Sequence, residues 1–250
     1  MNITRRRGVL ACMIGAVAAV LAAVVGACAA GGGRGDRFGG SEAGFTFVLL
    51  KTGPTSAEKS ATERQEIFRG HMANMKRLAD DGELIIAGPF NAPADRSWRG
   101  LFVMDEEDPA KALEIAATDP GVVSGVFVLE ARPMRSSAGL RESLSLEKAL
   151  QARVAATPAG QAAPRALRPY VIVTTSDASA ARAAIAYLGV PVVWWGEFAD
   201  EAGGGVFVLD AEKAEDVRAR GGEAFPGVID GWFSTSALEG LPTREPTAIR

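Results

Sequence analysis

His71 is the only imidazole in the 250-residue chain, so proton transfer by a group that titrates near neutrality would fall to it. Ile67, His71, Met75 and Leu78 follow one another at spacings of four, four and three, which is one stripe of a helix. Phe68, Met72 and Ala79 widen that stripe into an apolar face. His71 therefore points inward, where an imidazole needs a hydrogen-bond partner. Two readings follow: a core histidine held by one bond, or a general acid/base at a cleft. The spacing alone favours the first. The two cysteines, Cys12 and Cys28, both lie in the first thirty residues, so the region beyond them has no thiol for a nucleophile or a disulfide. With one histidine, no cysteine in that region and no glycine-rich phosphate loop, neither a metal nor a cofactor is expected.

The N-terminal segment points to the membrane. Arg5, Arg6 and Arg7 precede an uncharged run from Gly8 to Ala30, which is long enough to span a bilayer. The pattern of basic start, apolar stretch and small residues is that of an export signal. Val25-Gly26-Ala27-Cys28 fits the site at which bacterial lipoproteins are cleaved and lipidated, with Val25 where Leu is commoner. The expectation is a signal peptide over residues 1–28, lipidation of Cys28, and an exported lipoprotein anchored at the periplasmic side of the cell envelope. A simple N-terminal membrane anchor is the alternative. Thr4-Arg5-Arg6 resembles a twin-arginine signal, so the Sec and twin-arginine routes both stay open. Residues 29–44, rich in glycine, read as a flexible tether. A net charge of −3 gives no footprint for nucleic acid.

The elements that must carry His71 follow in order. Phe45–Thr52 reads as a strand, Ser60–Asp81 as the His71 helix, and Glu83–Ala87 as a second strand stopped by Gly88-Pro89. Gly100–Met104 is a third strand, and Asp108-Pro109 opens a helix that runs to about Thr118. Asp119-Pro120-Gly121 reads as a terminator, and Gly125–Ala131 as a fourth strand. The order βαββαβ is that of a ferredoxin-like unit, an antiparallel sheet with two helices on one face.

The histidine on the first helix, the Ala-Gly-Pro-Phe turn ending in Phe90 and the Thr-Asp-Pro-Gly-Val turn containing Asp119 resemble the YCII-related family over residues 45–135. The resemblance implies a dimeric α+β barrel, in which two sheets pack against each other. It also implies a site that pairs the helix histidine with the aspartate of the Asp-Pro turn, here His71 and Asp119. A carboxylate on one ring nitrogen would fix the tautomer and leave the other nitrogen for acid/base work. Taken alone, Asp119 reads as an ordinary turn residue before proline. Gly88, Pro89 and Phe90 of the turn, with Arg99 of the following stretch, are the expected substrate contacts. Arg96 and Arg99 read equally as solvated loop charges.

Residues 136–168 read as a linker with a helix over Leu140–Ala155, and residues 169–240 repeat the first unit. Gly205-Val206-Phe207-Val208-Leu209-Asp210 matches Gly100-Leu101-Phe102-Val103-Met104-Asp105. Gly196-Glu197-Phe198 stands where Gly88-Pro89-Phe90 stood, and Phe225 stands in place of Asp119. The second copy has no histidine, so it lacks a dyad. Residues 241–250 are a tail. The fold class expected is α+β, two tandem ferredoxin-like units packed sheet to sheet as an intrachain pseudo-dimeric barrel, with room for further self-association. The function expected is cofactor-independent acid/base chemistry on a small organic molecule, such as isomerisation, lactone chemistry or elimination. A non-catalytic small-ligand-binding or structural lipoprotein is the alternative.

Overall fold

A computed structural model describes residues 42–200 and 203–242. Cys28, the signal segment and the tether through residue 41 lie outside the described residues, as do the last eight. No helix among the described residues is long and apolar enough to cross a membrane.

The first unit holds β1 (Glu42–Thr52), α1 (Ala61–Asp80), β2 (Leu84–Asn91), β3 (Trp98–Met104), α2 (Pro109–Ala116), α3 (Pro120–Val123) and β4 (Phe127–Ser137). A 3-10 turn (Ala138–Glu142) leads into the linker helix α4 (Ser143–Ala155). The second unit holds β5 (Leu167–Thr175), α5 (Ala178–Leu188), β6 (Val192–Phe198), β7 (Gly205–Leu209), α6 (Ala214–Gly221) and β8 (Val228–Thr235), then a 3-10 turn (Ser236–Gly240). The eight strands close into one barrel in the order β1-β3-β2-β8-β5-β7-β6-β4. Each unit contributes four neighbouring strands in the ferredoxin-like order. The two sheets face each other across a shared interior and are hydrogen-bonded at both edges.

Several expected boundaries shift because a partner or cap extends the element; β1 starts at Glu42 rather than Phe45, taking the last three residues expected in the tether, because Glu42 to Gly44 pair with Arg135 to Ser137 of β4. β2 does not stop at Gly88-Pro89 but runs on to Asn91, because β8 supplies partners: Phe90 pairs with Trp232 and Asn91 with Gly231. Asp119 does not simply end a helix. It caps the single turn α3, its side chain accepting from the Gly121 N–H. β4 extends through Ser137, because β1 pairs with it along its whole length and β6 pairs with Met134 and Arg135. The linker therefore begins two residues later than expected.

Strand faces sort the core. Phe45, Phe47, Leu101, Val103, Tyr170, Ile172, Trp194 and Trp232 fill the barrel interior. The alternate residues Val48, Leu50, Phe102 and Met104 meet Leu78, Ala112 and Ala116 of the helices outside. Val171, Val173, Trp195 and Phe207 do the same beneath Ala181, Ile185 and Val217. Both faces of each sheet are covered, which is why the strands read as continuous apolar runs.

The seams repeat by pseudo-twofold symmetry. Ser234 Oγ donates to the Ala87 carbonyl at 2.8 Å, and Ser136 Oγ donates to the Trp195 carbonyl. Phe90 opposite Trp232 matches Phe198 opposite Met134. A glycine makes room at each seam. A Cβ on Gly88 would lie 1.9 Å from the Phe233 carbonyl oxygen, and one on Gly196 would lie 2.1 Å from the Met134 sulfur. Beside the first seam, buried Asp230 accepts the Ala94 N–H at 2.9 Å. Burial pushes its carboxyl up from its ordinary range, although Arg218 lies 3.5 Å away.

Candidate acid/base site

α1 is set by a full capping box, in which Ser60 accepts from the Glu63 N–H and Glu63 reaches back to the Ser60 N–H. From there the apolar stripe lays the helix across the outer face of the first sheet, with Leu78 fully buried. His71 sits near the middle of the helix, one turn before Met75. Pro120 holds α3 against α1, and a Cβ on Gly70 would lie 3.0 Å from its ring. Gly70 thus lets α3 approach close enough for Asp119 to reach the imidazole.

His71 Nδ1 lies 2.7 Å from Asp119 Oδ2. Asp119 is fully buried, and its other oxygen, Oδ1, accepts the Gly121 N–H at 2.7 Å. The carboxylate is therefore satisfied on both oxygens and fixed by a helix cap. The imidazole ring stacks on Phe102 at 6.1 Å with an interplanar angle of 16°, and meets Phe127 edge-on at 5.5 Å. Its side chain keeps 12 % of its area exposed. Nε2 has no hydrogen-bond partner among the described residues. It is also not among the fully buried side-chain nitrogens that lack one, so it keeps some contact with solvent. A carboxylate acceptor at Nδ1 selects the ring form with a proton on Nδ1. In the neutral ring, Nε2 then carries the lone pair.

One turn further on, Arg77 Nη2 donates to Asn74 Oδ1 at 3.0 Å and to Thr118 Oγ1 at 3.1 Å. This second clasp joins α1 to the segment before Asp119. Sequence reading missed it, since Asn74, Arg77 and Thr118 are ordinary surface types. It also missed the two rings, although the repeated Gly-x-Phe-Val pattern marks Phe102.

Of the other expected contacts, Gly88 and Phe90 lie away from the imidazole, and no hydrogen bond or ring contact among the described residues joins Pro89 or Arg99 to it. Phe90 packs on Trp98 at 5.2 Å against the barrel interior, on the side of the sheet away from Phe102 and His71. Gly88 lies under Trp232 at the seam, Pro89 is exposed on β2, and Arg99 is exposed on β3. Period-two alternation separates Gly88 and Phe90 from the pair: Ala87 shares the helix-covered face with Phe102, whereas Phe90 packs on the interior side. Exposed Phe68 flanks His71 on α1 with its ring at 6.2 Å, and Met72 follows His71 in the chain, also exposed.

The second unit fills the equivalent place differently. α5 has 11 residues against 20 in α1. Trp195 pairs with Phe207 where Ala87 pairs with Phe102. The Arg182 guanidinium lies 5.1 Å from the Phe207 ring and 5.0 Å from Trp195. A cation and an indole thus occupy the ground that His71 holds in the first unit. Among the described residues no group of three His, Cys, Asp or Glu side chains could hold a metal.

No curated protein matches the chain. Solved structures similar to it include a mutant chlorite dismutase from Candidatus Nitrospira defluvii in complex with cyanide. That likeness has 11 % identity and a TM-score of 0.45, and covers 82 % of this chain and 95 % of that one. A second mutant of the same enzyme matches at 13 % identity and TM-score 0.44, over 82 % and 96 % of the two chains. The model of the YCII-related domain matches residues 45–135, the stretch that contains most of β1, the elements from α1 to α3, most of β4 and the His71–Asp119 pair. The chain thus carries a YCII-related domain, closed into a barrel by a second unit of the same topology that lacks the pair.

Proposed function

We propose that the protein is an acid/base enzyme acting on a small organic molecule, with His71 Nε2 as the proton carrier and Asp119 as the group that orients it. One observation carries the reading. A fully buried carboxylate, satisfied by a backbone N–H, holds Nδ1 at 2.7 Å, while Nε2 has no partner among the described residues and keeps some contact with solvent. A structural histidine has no need to present its second nitrogen outward. In the mechanism proposed, Nε2 takes a proton from a substrate carbon and returns it at a neighbouring carbon in an isomerisation or to the departing hydroxyl in an elimination; in lactone hydrolysis it takes the proton from the attacking water and gives it to the ring oxygen that leaves. Asp119 stabilises the doubly protonated ring while the proton is held. Isomerisation, lactone chemistry and elimination all fit such a single-base site. Phe68 and Met72 offer an apolar rest for the substrate body beside the ring.

A second reading is a non-catalytic ligand-binding protein. It is favoured by the narrow exposure of the ring, and by two clefts elsewhere that His71 does not line, one beside Leu146, Arg153 and Arg168 and one beside Ala94, Arg218 and Ile229. Nitrogen-15 NMR of the single histidine separates the two readings from a purely structural role. Nε2 should carry the lone pair, should react with diethyl pyrocarbonate, and should shift when a small-molecule library contains a ligand. A ring that resists the reagent and responds to nothing would overturn both. The proposal extends to location: an exported chain tethered through lipidated Cys28, supported by the sequence and tested by N-terminal mass spectrometry of the membrane fraction.

A further inference from the structure

The linker encloses a cleft as it connects the two units. After α4 the chain turns back through Pro164 and Arg165 to start β5. Between α4, that returning segment and the corner of the second unit lies a cleft of about 590 Å³. That volume is in the range of small-molecule sites. Leu146, Leu150 and Ala237 give it an apolar wall.

Its charges can be sorted. Arg168, with 13 % of its side chain exposed, is braced by Asp210 at 2.8 Å and by Glu239. Arg165 faces Glu212 loosely, at 3.7 Å. Arg153, on the last turn of α4, has no partner for its guanidinium among the described residues. Among the described residues Arg153 is therefore the one guanidinium of the lining that no carboxylate engages, since Glu212 is taken up by Arg165 and Asp210 and Glu239 by Arg168.

The first unit provides an internal control. Glu107 follows Asp105 by two residues, as Glu212 follows Asp210. Glu107 folds onto its own unit so closely that a Cβ on Gly44 would lie 2.5 Å from it. In the second unit Glu212 lines the cleft instead.

We infer that this cleft binds a small organic carboxylate with an apolar body, its carboxylate on the Arg153 fork and its body against Leu146, Leu150 and Ala237. The site is separate from His71 and does not depend on its role. The test is calorimetry on the full-length chain with phenylbutyrate, and with phenylbutanol as the uncharged comparator. Saturable binding of the acid is expected, weakened about tenfold or more by Arg153→Ala, less by Arg153→Lys, and unchanged by His71→Ala. The inference is overturned if the acid does not bind saturably. It is likewise overturned if the alcohol binds as tightly as the acid, or if Arg153→Ala leaves the affinity as it was.

Discussion

Replacing Asp119 separates what the residue does for the fold from what it does for the imidazole. Asp119→Ala removes the bond to His71 Nδ1, a bond to a charged acceptor worth about 1.5–3 kcal/mol. It also removes the cap on Gly121, worth about 1 kcal/mol. A total of about 3 kcal/mol is expected in urea unfolding, because the two losses share one side chain and do not simply add. Asp119→Asn keeps an oxygen for the Gly121 N–H and places an NH₂ against Nδ1. The ring must then accept at Nδ1 and carry its proton on Nε2, so stability falls by only about 1 kcal/mol while the tautomer inverts. Nitrogen-15 spectra read that inversion directly, since no second histidine overlaps. A double-mutant cycle with His71→Ala should give a coupling of about 1.5 kcal/mol or more. A coupling below about 0.5 kcal/mol, or an unchanged tautomer in Asp119→Asn, would refute the reasoning.

Three further outcomes are expected. Gly88→Ala should cost more stability than Gly196→Ala, because its Cβ meets the Phe233 backbone, whereas Gly196 meets the flexible Met134 side chain; equal denaturation midpoints would contradict the seam geometry. Asp230, whose carboxyl is raised by burial, contributes stability that is complete below its ordinary value of 3.8 and is lost as pH rises through the raised one. Asp230→Asn should therefore be neutral or stabilising at neutral pH, and thermal melts that show a large loss there would argue against it. Residues 42–137 alone leave the β2 and β4 edges unpaired and one sheet face bare, so they should self-associate or aggregate, whereas the two-unit chain should stay monomeric in dilute solution. A stable, soluble monomer of the first unit in light scattering would contradict this.

Much of the fold was legible because its signals are local. The continuous apolar strands, the helical stripe around His71 and the Asp108-Pro109 helix start each follow from neighbouring residues. The repeat was readable from the Gly-x-Phe-Val motif and the Pro-Gly turn. What escaped depends on distant partners. Gly88-Pro89 looks like a strand end until β8 arrives to pair with Phe90. α6, a short helix of low apolar content, left no clear pattern between β7 and β8. For the site, the helical stripe showed that His71 faces inward, but only the resemblance named Asp119. The spacing of 48 residues between the two carries no geometric information by itself. Phe90 was grouped with His71 because they are close in sequence logic, yet the pleat sends them to opposite faces.

Closing the barrel inside one chain changes how its integrity responds to dilution. Two separate chains sharing these seams would part as their concentration fell. Here the α4 segment and the stretch that returns to β5 keep the seam partners at an effective concentration on the order of millimolar, whatever the abundance of the protein. A two-chain barrel must also show every substitution twice, once on each side. In this chain a change at Ala87 has no echo at Trp195, and one at His71 none at Arg182. Each half can therefore be altered alone: one can keep a reactive group while the other gives up its own to serve as scaffold.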